Sequence, residues 1–326
     1  MSSFPQRRMR RRRQSGALRA MTRETRLSPE NFVCPLFVVE RSDAAGPVRS
    51  MPGVARHTVD DLEREIEQIA ARRIPAVMLF GIPASKDAAG SGAYAEDGVV
   101  PRAIRRIKAA CEGVAVVADV CLCEYTDHGH CGIVRAERVV NDQSLEAYAR
   151  AAVAYARAGA DLVAPSGMMD GMVGALRDAL DGAGFEHVGI LSYAVKYASS
   201  FYGPFRDAAD CAPTFGDRRS HQMDPANVRE ALAEAELDLG EGADFLMVKP
   251  AIAYLDVIAR LRQTYPSVPL AAYQVSGEYS MIKAAASNGW IDERRIVLES
   301  LTAIRRAGAD VILTYYARQA AEWLSA

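Results

Sequence analysis

The sequence predicts an α/β protein folded as a (β/α)8 TIM barrel, and three observations point there. Eight short, β-rich apolar runs alternate with helical patterns. The tripeptide Gly-Ala-Asp recurs at three places where a helix should end and a strand begin. The residues of unusual chemistry fall at or just beyond the C-terminal ends of the runs, where barrel enzymes keep their reactive groups.

The predicted strands are 33–38 (VCPLFV), 76–80 (AVMLF), 114–119 (VAVVAD), 161–165 (DLVAP), 188–192 (VGILS), 244–249 (DFLMVK), 270–275 (LAAYQV) and 311–315 (VILTY). They are near-continuously hydrophobic, as strands buried on both faces must be. Between them, helical spacing covers 59–73, opened by a Thr58-to-Asp61 cap signal, and 144–158. A count of eight with this alternation favours a closed parallel barrel over an open doubly wound sheet. Gly159-Ala160-Asp161, Gly242-Ala243-Asp244 and Gly308-Ala309-Asp310 form the weak repeat. Glycine at such a junction supplies the left-handed helix stop. No Walker loop, dinucleotide fingerprint or Gly/Ser linker interrupts the chain, so residues 31–326 read as one catalytic barrel and residues 1–30 as an N-terminal arm.

Lys and Arg total 39 against 41 Asp and Glu, which gives no global charge for nucleic acid or a membrane. No apolar run reaches the roughly 18 residues of a membrane helix. Six cysteines are few for this length, and three of them fall within eleven residues. That clustering suggests metal or redox chemistry in a reducing, cytoplasmic setting rather than a disulfide framework. The arm carries Arg7, Arg8 and Arg10 to Arg13, with no acid before Glu24. Transit segment, nucleic-acid arm and subunit clasp all suit such a start; the clasp is favoured because a folded core follows at once.

Asp119 ends the third run, and Cys121, Cys123 and Cys131 follow in its loop with His128 and His130. Three thiolates leave a fourth tetrahedral position open, the pattern of catalytic zinc, and sulfur favours zinc over magnesium. Buried free cysteines are the plainer alternative. The histidines read as supporting groups, because a fourth protein ligand would close the site. Lys249 closes the apolar sixth run and Lys196 lies a few residues beyond the fifth. A desolvated lysine loses its proton readily and becomes a nucleophile for carbonyls, and two on adjacent strand ends depress each other's pKa. Either alone would read better as a snorkelling structural lysine; the pair beside a metal loop does not. The segment 197–222 carries Tyr202, Phe205, Arg206, Arg218, Arg219 and Gln222 among glycines and prolines, an aromatic lid with carboxylate clamps or else a solvated loop. Ser276 and Tyr315 fall at the seventh and eighth strand ends. Two amines, a Lewis acid and carboxylate clamps suit condensation of keto acids.

At these residues the chain resembles the porphobilinogen synthase (5-aminolevulinate dehydratase) family. The motifs are DVCLC…HGHCG (119–132), APS…MMDG (164–171), SYAVKYAS…FYGPFR (192–206), FGDRRS (215–220), MVKP (247–250), YQVSGEY (273–279) and TYY (314–316). The resemblance runs from about residue 10 to the C-terminus. It implies a homo-oligomer, commonly an octamer, built through the arm, and two 5-aminolevulinate molecules per site. It implies Schiff bases at Lys249 for the first substrate and Lys196 for the second. Ser276 and Tyr315 would hold the first carboxylate, and Arg206, Arg218 and Gln222 the second, beneath a lid with Tyr202 and Phe205. Cys121, Cys123 and Cys131 would hold Zn2+, Asp119 would move protons, and Glu234 matches a residue that anchors an allosteric Mg2+ in many bacterial members. An ordinary solvated helix carboxylate is the equal alternative for Glu234. The chain departs from the pattern at Gly167, where many members have aspartate, and at Ser220, where some use cysteine at a secondary zinc position. A lysine-dependent aldolase is the rival enzyme, and a nucleic-acid-binding protein using residues 7–13 the rival of another class.

Overall fold

The computed structural model describes residues 3–325. Eight parallel strands form the barrel: β1 (Phe32–Val39), β2 (Ala76–Ile82), β3 (Ala115–Val120), β4 (Leu162–Pro165), β5 (Gly189–Lys196), β6 (Phe245–Lys249), β7 (Leu270–Gln274) and β8 (Val311–Thr314). Each pairs with the next, and β8 returns to β1 through Phe32 opposite Ile312 and Val33 opposite Leu313, closing the cylinder. All eight residues of β1 are buried, as the two-sided burial of a barrel strand requires.

Principal helices cover the outside: α1 (Leu62–Ala71), α2 (Val99–Ala110), α3 (Asn141–Ala158), α4 (Met172–Gly182), α5 (Arg229–Gly240), α6 (Leu255–Thr264), α7 (Ser276–Ser287), α8 (Glu293–Ala307) and α9 (Ala317–Ser325). Thr58 and Asp61 do open α1. The Asp61 carboxylate accepts from the Thr58 N–H and hydroxyl at 3.0 and 2.7 Å, and the Asp61 N–H donates back to Thr58 Oγ1 at 3.3 Å.

The Gly-Ala-Asp repeat has a physical basis in both its end residues. Gly159, Gly242 and Gly308 have φ of 102°, 105° and 129°, a region that side chains disfavour. Each aspartate carboxylate then accepts the N–H of a residue near the start of the adjacent strand: Val116 to Asp161 at 2.6 Å, Ile190 to Asp244 at 2.7 Å, Leu270 to Asp310 at 3.1 Å. The repeat therefore stops a helix and pins the foot of a strand pair in one step.

Two boundaries differ from the sequence reading in ways that matter. Strand five runs on to Lys196, so this lysine closes its strand rather than following it. The apolar run breaks at Ser192 and Tyr193, but pairing with β6 carries the strand past them through a register shift between Leu246 and Val248. Tyr315 stands one residue beyond β8. Residues 3–24 are all exposed. No helix among the described residues is long and apolar enough to cross a membrane.

Candidate active site

The two lysines end neighbouring strands at the same level, Lys249 directly opposite Lys196 in the β5–β6 register. Each is only 5% exposed, yet their surroundings differ. The Lys249 ammonium stands 4.7 Å from the ring centre of Tyr273, 5.0 Å from Tyr193, and 5.2 Å from both Tyr202 and Phe205. Lys196 Nζ donates to the Ser166 carbonyl at 2.5 Å and has one ring near it, Tyr193 at 5.3 Å. Burial first, and the Lys196 charge second, push the Lys249 pKa down to about 7, against the pull of Asp119 and the cysteines. An amine so placed is substantially neutral at neutral pH, which a nucleophile for a carbonyl requires.

Strand β3 delivers Asp119, and its loop folds the three cysteines together. The sulfurs of Cys121, Cys123 and Cys131 all lie within 4.8 Å of one another, with Cys121 and Cys123 3.3 Å apart. Zinc–sulfur bonds of about 2.3 Å set tetrahedral sulfur edges near 3.8 Å, so the donor set fits a zinc ion. The thiols share protons unequally: hydrogen bonds from Cys121 and Cys123 hold Cys131 well below the usual thiol range, while those from Cys121, Cys131 and Cys211 push Cys123 well above it. Asp119 is buried between this cluster and the lysines. Ser166 donates to one of its oxygens at 3.0 Å and the other has no partner. Burial, then Cys121, raise its pKa to about 7, which suits a proton carrier.

The histidines brace the loop. The His130 N–H donates to His128 Nδ1 at 3.1 Å, and His130 Nε2 meets the Phe215 carbonyl of the lid at 2.9 Å. Neither joins the thiol group. Gly167 also has a structural reason. A Cβ there would collide with the hydroxyl end of Tyr148, and that hydroxyl donates to the Cys131 carbonyl. Glycine thus makes room for the tyrosine that steadies a metal-loop residue.

The lid lies shut over the lysines. The Tyr202 hydroxyl donates to the Lys249 carbonyl at 3.2 Å, and the Phe205 N–H donates to Ser276 Oγ at 2.9 Å. Arg218 reaches the carbonyls of Gly129 and Cys211 at 2.9 and 2.7 Å, joining lid to metal loop. Arg206 Nε, Arg218 Nε and Gln222 Nε2 are buried donors without partners. Native proteins rarely leave such groups unpaired without a use for them, and a substrate carboxylate is the ligand they suit. Arg206 also lines an outer cleft with Arg56 and Lys86. Tyr315 Oη pairs with Tyr273 Oη at 3.0 Å, one residue removed from Lys249. Gln222 shares a cavity of about 550 Å³ with Glu234, Asp238 and Glu241, and Tyr193, whose ring faces both lysines, also lines it.

Sequence reasoning missed three residues. Glu124 and Cys211 form a further group with Cys123, and Glu278 accepts the Val275 and Ile252 N–H groups at 2.7 and 2.6 Å, joining the Lys249 loop to α7. The Cys123–Glu124 adjacency was a usable signal; the other two are brought in only by folding.

Fold and site together define a (β/α)8-barrel enzyme with paired buried amines beside a thiol cluster. The family model for Delta-aminolevulinic acid dehydratase matches residues 6–323. The Delta-aminolevulinic acid dehydratase of Halalkalibacterium halodurans is 54% identical over 318 residues, 98% of this chain and 97% of that protein. That of Archaeoglobus fulgidus is 54% identical over 324 residues, 99% of this chain and 100% of that protein. The crystal structure of the Toxoplasma gondii enzyme, a porphobilinogen synthase in complex with its product porphobilinogen, superposes with TM-score 0.95 at 46% identity, covering 97% of this chain and 91% of that one. The chain belongs to the delta-aminolevulinic acid dehydratase family, the porphobilinogen synthases, and is an enzyme of that class. An aldolase with TM-score 0.50 and 11% identity shares the fold alone.

Proposed function

We propose that the enzyme condenses two 5-aminolevulinate molecules to porphobilinogen with loss of two waters, feeding tetrapyrrole synthesis. The observation that carries the reading is the register pairing of Lys249 with Lys196 beside three converging thiols. Lys249, desolvated by four rings, attacks the ketone of the first substrate; its nitrogen gains the carbon and water departs, leaving a Schiff base. Lys196 forms the same linkage with the second. Ser276 and Tyr315 receive the first carboxylate, and Arg206, Arg218 and Gln222 the second, their unpartnered donors supplying the hydrogen bonds. Asp119, poised near neutrality, takes and returns protons between the substrates. The lid residues Tyr202 and Phe205 exclude water from the amines.

Cys121, Cys123 and Cys131 would hold zinc, which supplies a Lewis acid that keeps the second substrate's amine neutral. Glu234 would hold magnesium outside the reaction, through carboxylate and water oxygens. Residues 1–30 form the arm that clasps a second copy in an oligomer, an octamer by family likeness, and the enzyme works in the cytoplasm.

Borohydride reduction in the presence of 5-aminolevulinate tests the amine assignment. The wild-type adduct should map to Lys249, and Lys249→Ala should abolish turnover. A principal adduct on Lys108 or Lys283, which are ion-paired to Asp161 and Glu293, contradicts it. Cys123→Ala should lower zinc content and activity together. Turnover unaffected by chelation would remove zinc from the mechanism, and the absence of a pyrrole product would leave an aldolase.

A further inference from the structure

Cys211 lies in the lid, between the short helix Gly203–Ala208 and Arg218, and is 1% exposed. Its sulfur, the sulfur of Cys123 and a carboxylate oxygen of Glu124 all lie within 4.8 Å of one another. The Cys123 thiol already donates to Glu124 at 3.2 Å. The backbone of Cys211 is fixed on both sides: its N–H donates to the Arg206 carbonyl at 3.2 Å and its carbonyl accepts from Arg218 at 2.7 Å. The same Arg218 nitrogen holds Gly129 of the metal loop, so the lid thiol is presented to the loop in a defined position. Glu124 is buried and forms no ion pair among the described residues.

We propose that Cys123, Cys211 and Glu124 form a second metal position, sharing Cys123 with the first, that takes a soft divalent cation such as zinc or cadmium. The proposal rests on the thiolate reading of the first site. Two sulfur donors and one oxygen favour such a cation over magnesium or calcium. Binding displaces the protons of Cys211 and Glu124, and Cys123 bridges the two ions as a thiolate. Cys131 belongs only to the first group and Cys211 only to this one, which makes the two positions separable by mutation, although Glu124 also lies within 4.8 Å of Cys121 and Asp119. The first position is built within one loop, whereas the second joins that loop to the lid. A cation there would therefore tether lid and metal loop.

Metal stoichiometry of the full-length enzyme tests the proposal. The protein is stripped with a chelator, kept reduced, and equilibrated with zinc alone or cadmium alone. Elemental analysis should find two ions per subunit in wild type, and X-ray absorption should report sulfur and oxygen ligands. Cys211→Ser should bind one ion and keep the cysteines of the first site engaged. Glu124→Gln should weaken the second equivalent by about tenfold or more, as lost ligation support does. A single equivalent in wild type that Cys131→Ser removes and Cys211→Ser retains overturns the second position and leaves the first standing. A wild type that binds no ion overturns both. Two equivalents persisting in Cys211→Ser overturn the assignment of the second to the lid. The wild-type count and ligand identity hold whether or not each variant folds.

Discussion

Lys196 and Lys249 are register partners on β5 and β6, yet only Lys249 has four aromatic rings around its ammonium. Lys196 keeps a carbonyl partner instead. The same pair of strands thus presents its two amines in different surroundings, one ringed by aromatic side chains and the other held to a backbone carbonyl.

The pH dependence of adduct formation follows from this pair. Lys249 titrates near 7 because of burial and the neighbouring Lys196 charge, with Asp119 opposing. A nearby cation disfavours the protonated amine, so removing it lets Lys249 keep its proton to higher pH. In Lys196→Met the acid limb of borohydride trapping at Lys249 should therefore move to higher pH than in wild type. Asp119→Asn removes a carboxylate and should move it lower. Trapping rates followed by mass spectrometry across the pH range check both signs, and coincident profiles in all three proteins would reject the electrostatic account.

Gly167 carries a prediction about the metal loop. An added methyl meets Tyr148, a fully buried side chain whose hydroxyl holds the Cys131 carbonyl. Overpacking of this kind costs about 1–3 kcal/mol. Gly167→Ala should lose that much stability in denaturant titration and, if Cys131 holds zinc as proposed, hold it less tightly, because the collision displaces that residue. Unchanged zinc retention would show that Tyr148 does not steady Cys131.

How much of this was legible in the sequence depends on whether the signal is local. The strands read cleanly because a barrel strand buried on both faces leaves a continuous apolar run, as β1 does. The apolar run ends strand five at Ser192, four residues short of Lys196, and only pairing with β6 shows the strand continuing. The glycine of each Gly-Ala-Asp repeat was readable as a helix stop. Its aspartate was not, since its partner N–H lies on another strand: Asp161 serves Val116, 45 residues earlier. Cys121, Cys123 and Cys131 lie close along the chain, so their convergence could be read from spacing. Cys211 joins them only when the lid folds back, and no spacing rule announces that.

The arm offers a test of assembly. Residues 3–24 are exposed and include the large apolar side chains of Phe4, Met9, Leu18 and Met21. Such groups on an exposed arm suit burial against a second copy better than solvent. Deleting residues 1–13 should change the mass distribution in light scattering without removing any affinity for nucleic acid. An oligomer unaltered by the deletion would sink the clasp, and a salt-sensitive loss of nucleic-acid binding would favour the rival reading of the arginines.

The magnesium assignment makes a prediction in which pH and metal are coupled. Burial first, then Asp170, Glu230 and Glu241, raise the pKa of Glu234, and burial lifts Asp238 to about 7. Both line the cavity that Gln222 enters from the lid. Carboxylates whose pKa is raised by burial and mutual repulsion bind protons more readily, so protons and magnesium compete. Activation by magnesium should accordingly need more metal below pH of about 7 and less above it. Because Gln222 shares the cavity, the effect should fall on substrate affinity more than on the rate at saturation. Glu234→Ala should flatten the titration at every pH while leaving the zinc content unchanged. A wild-type enzyme whose activity does not respond to magnesium at any pH would remove the ion from Glu234 and return that residue to an ordinary helix carboxylate.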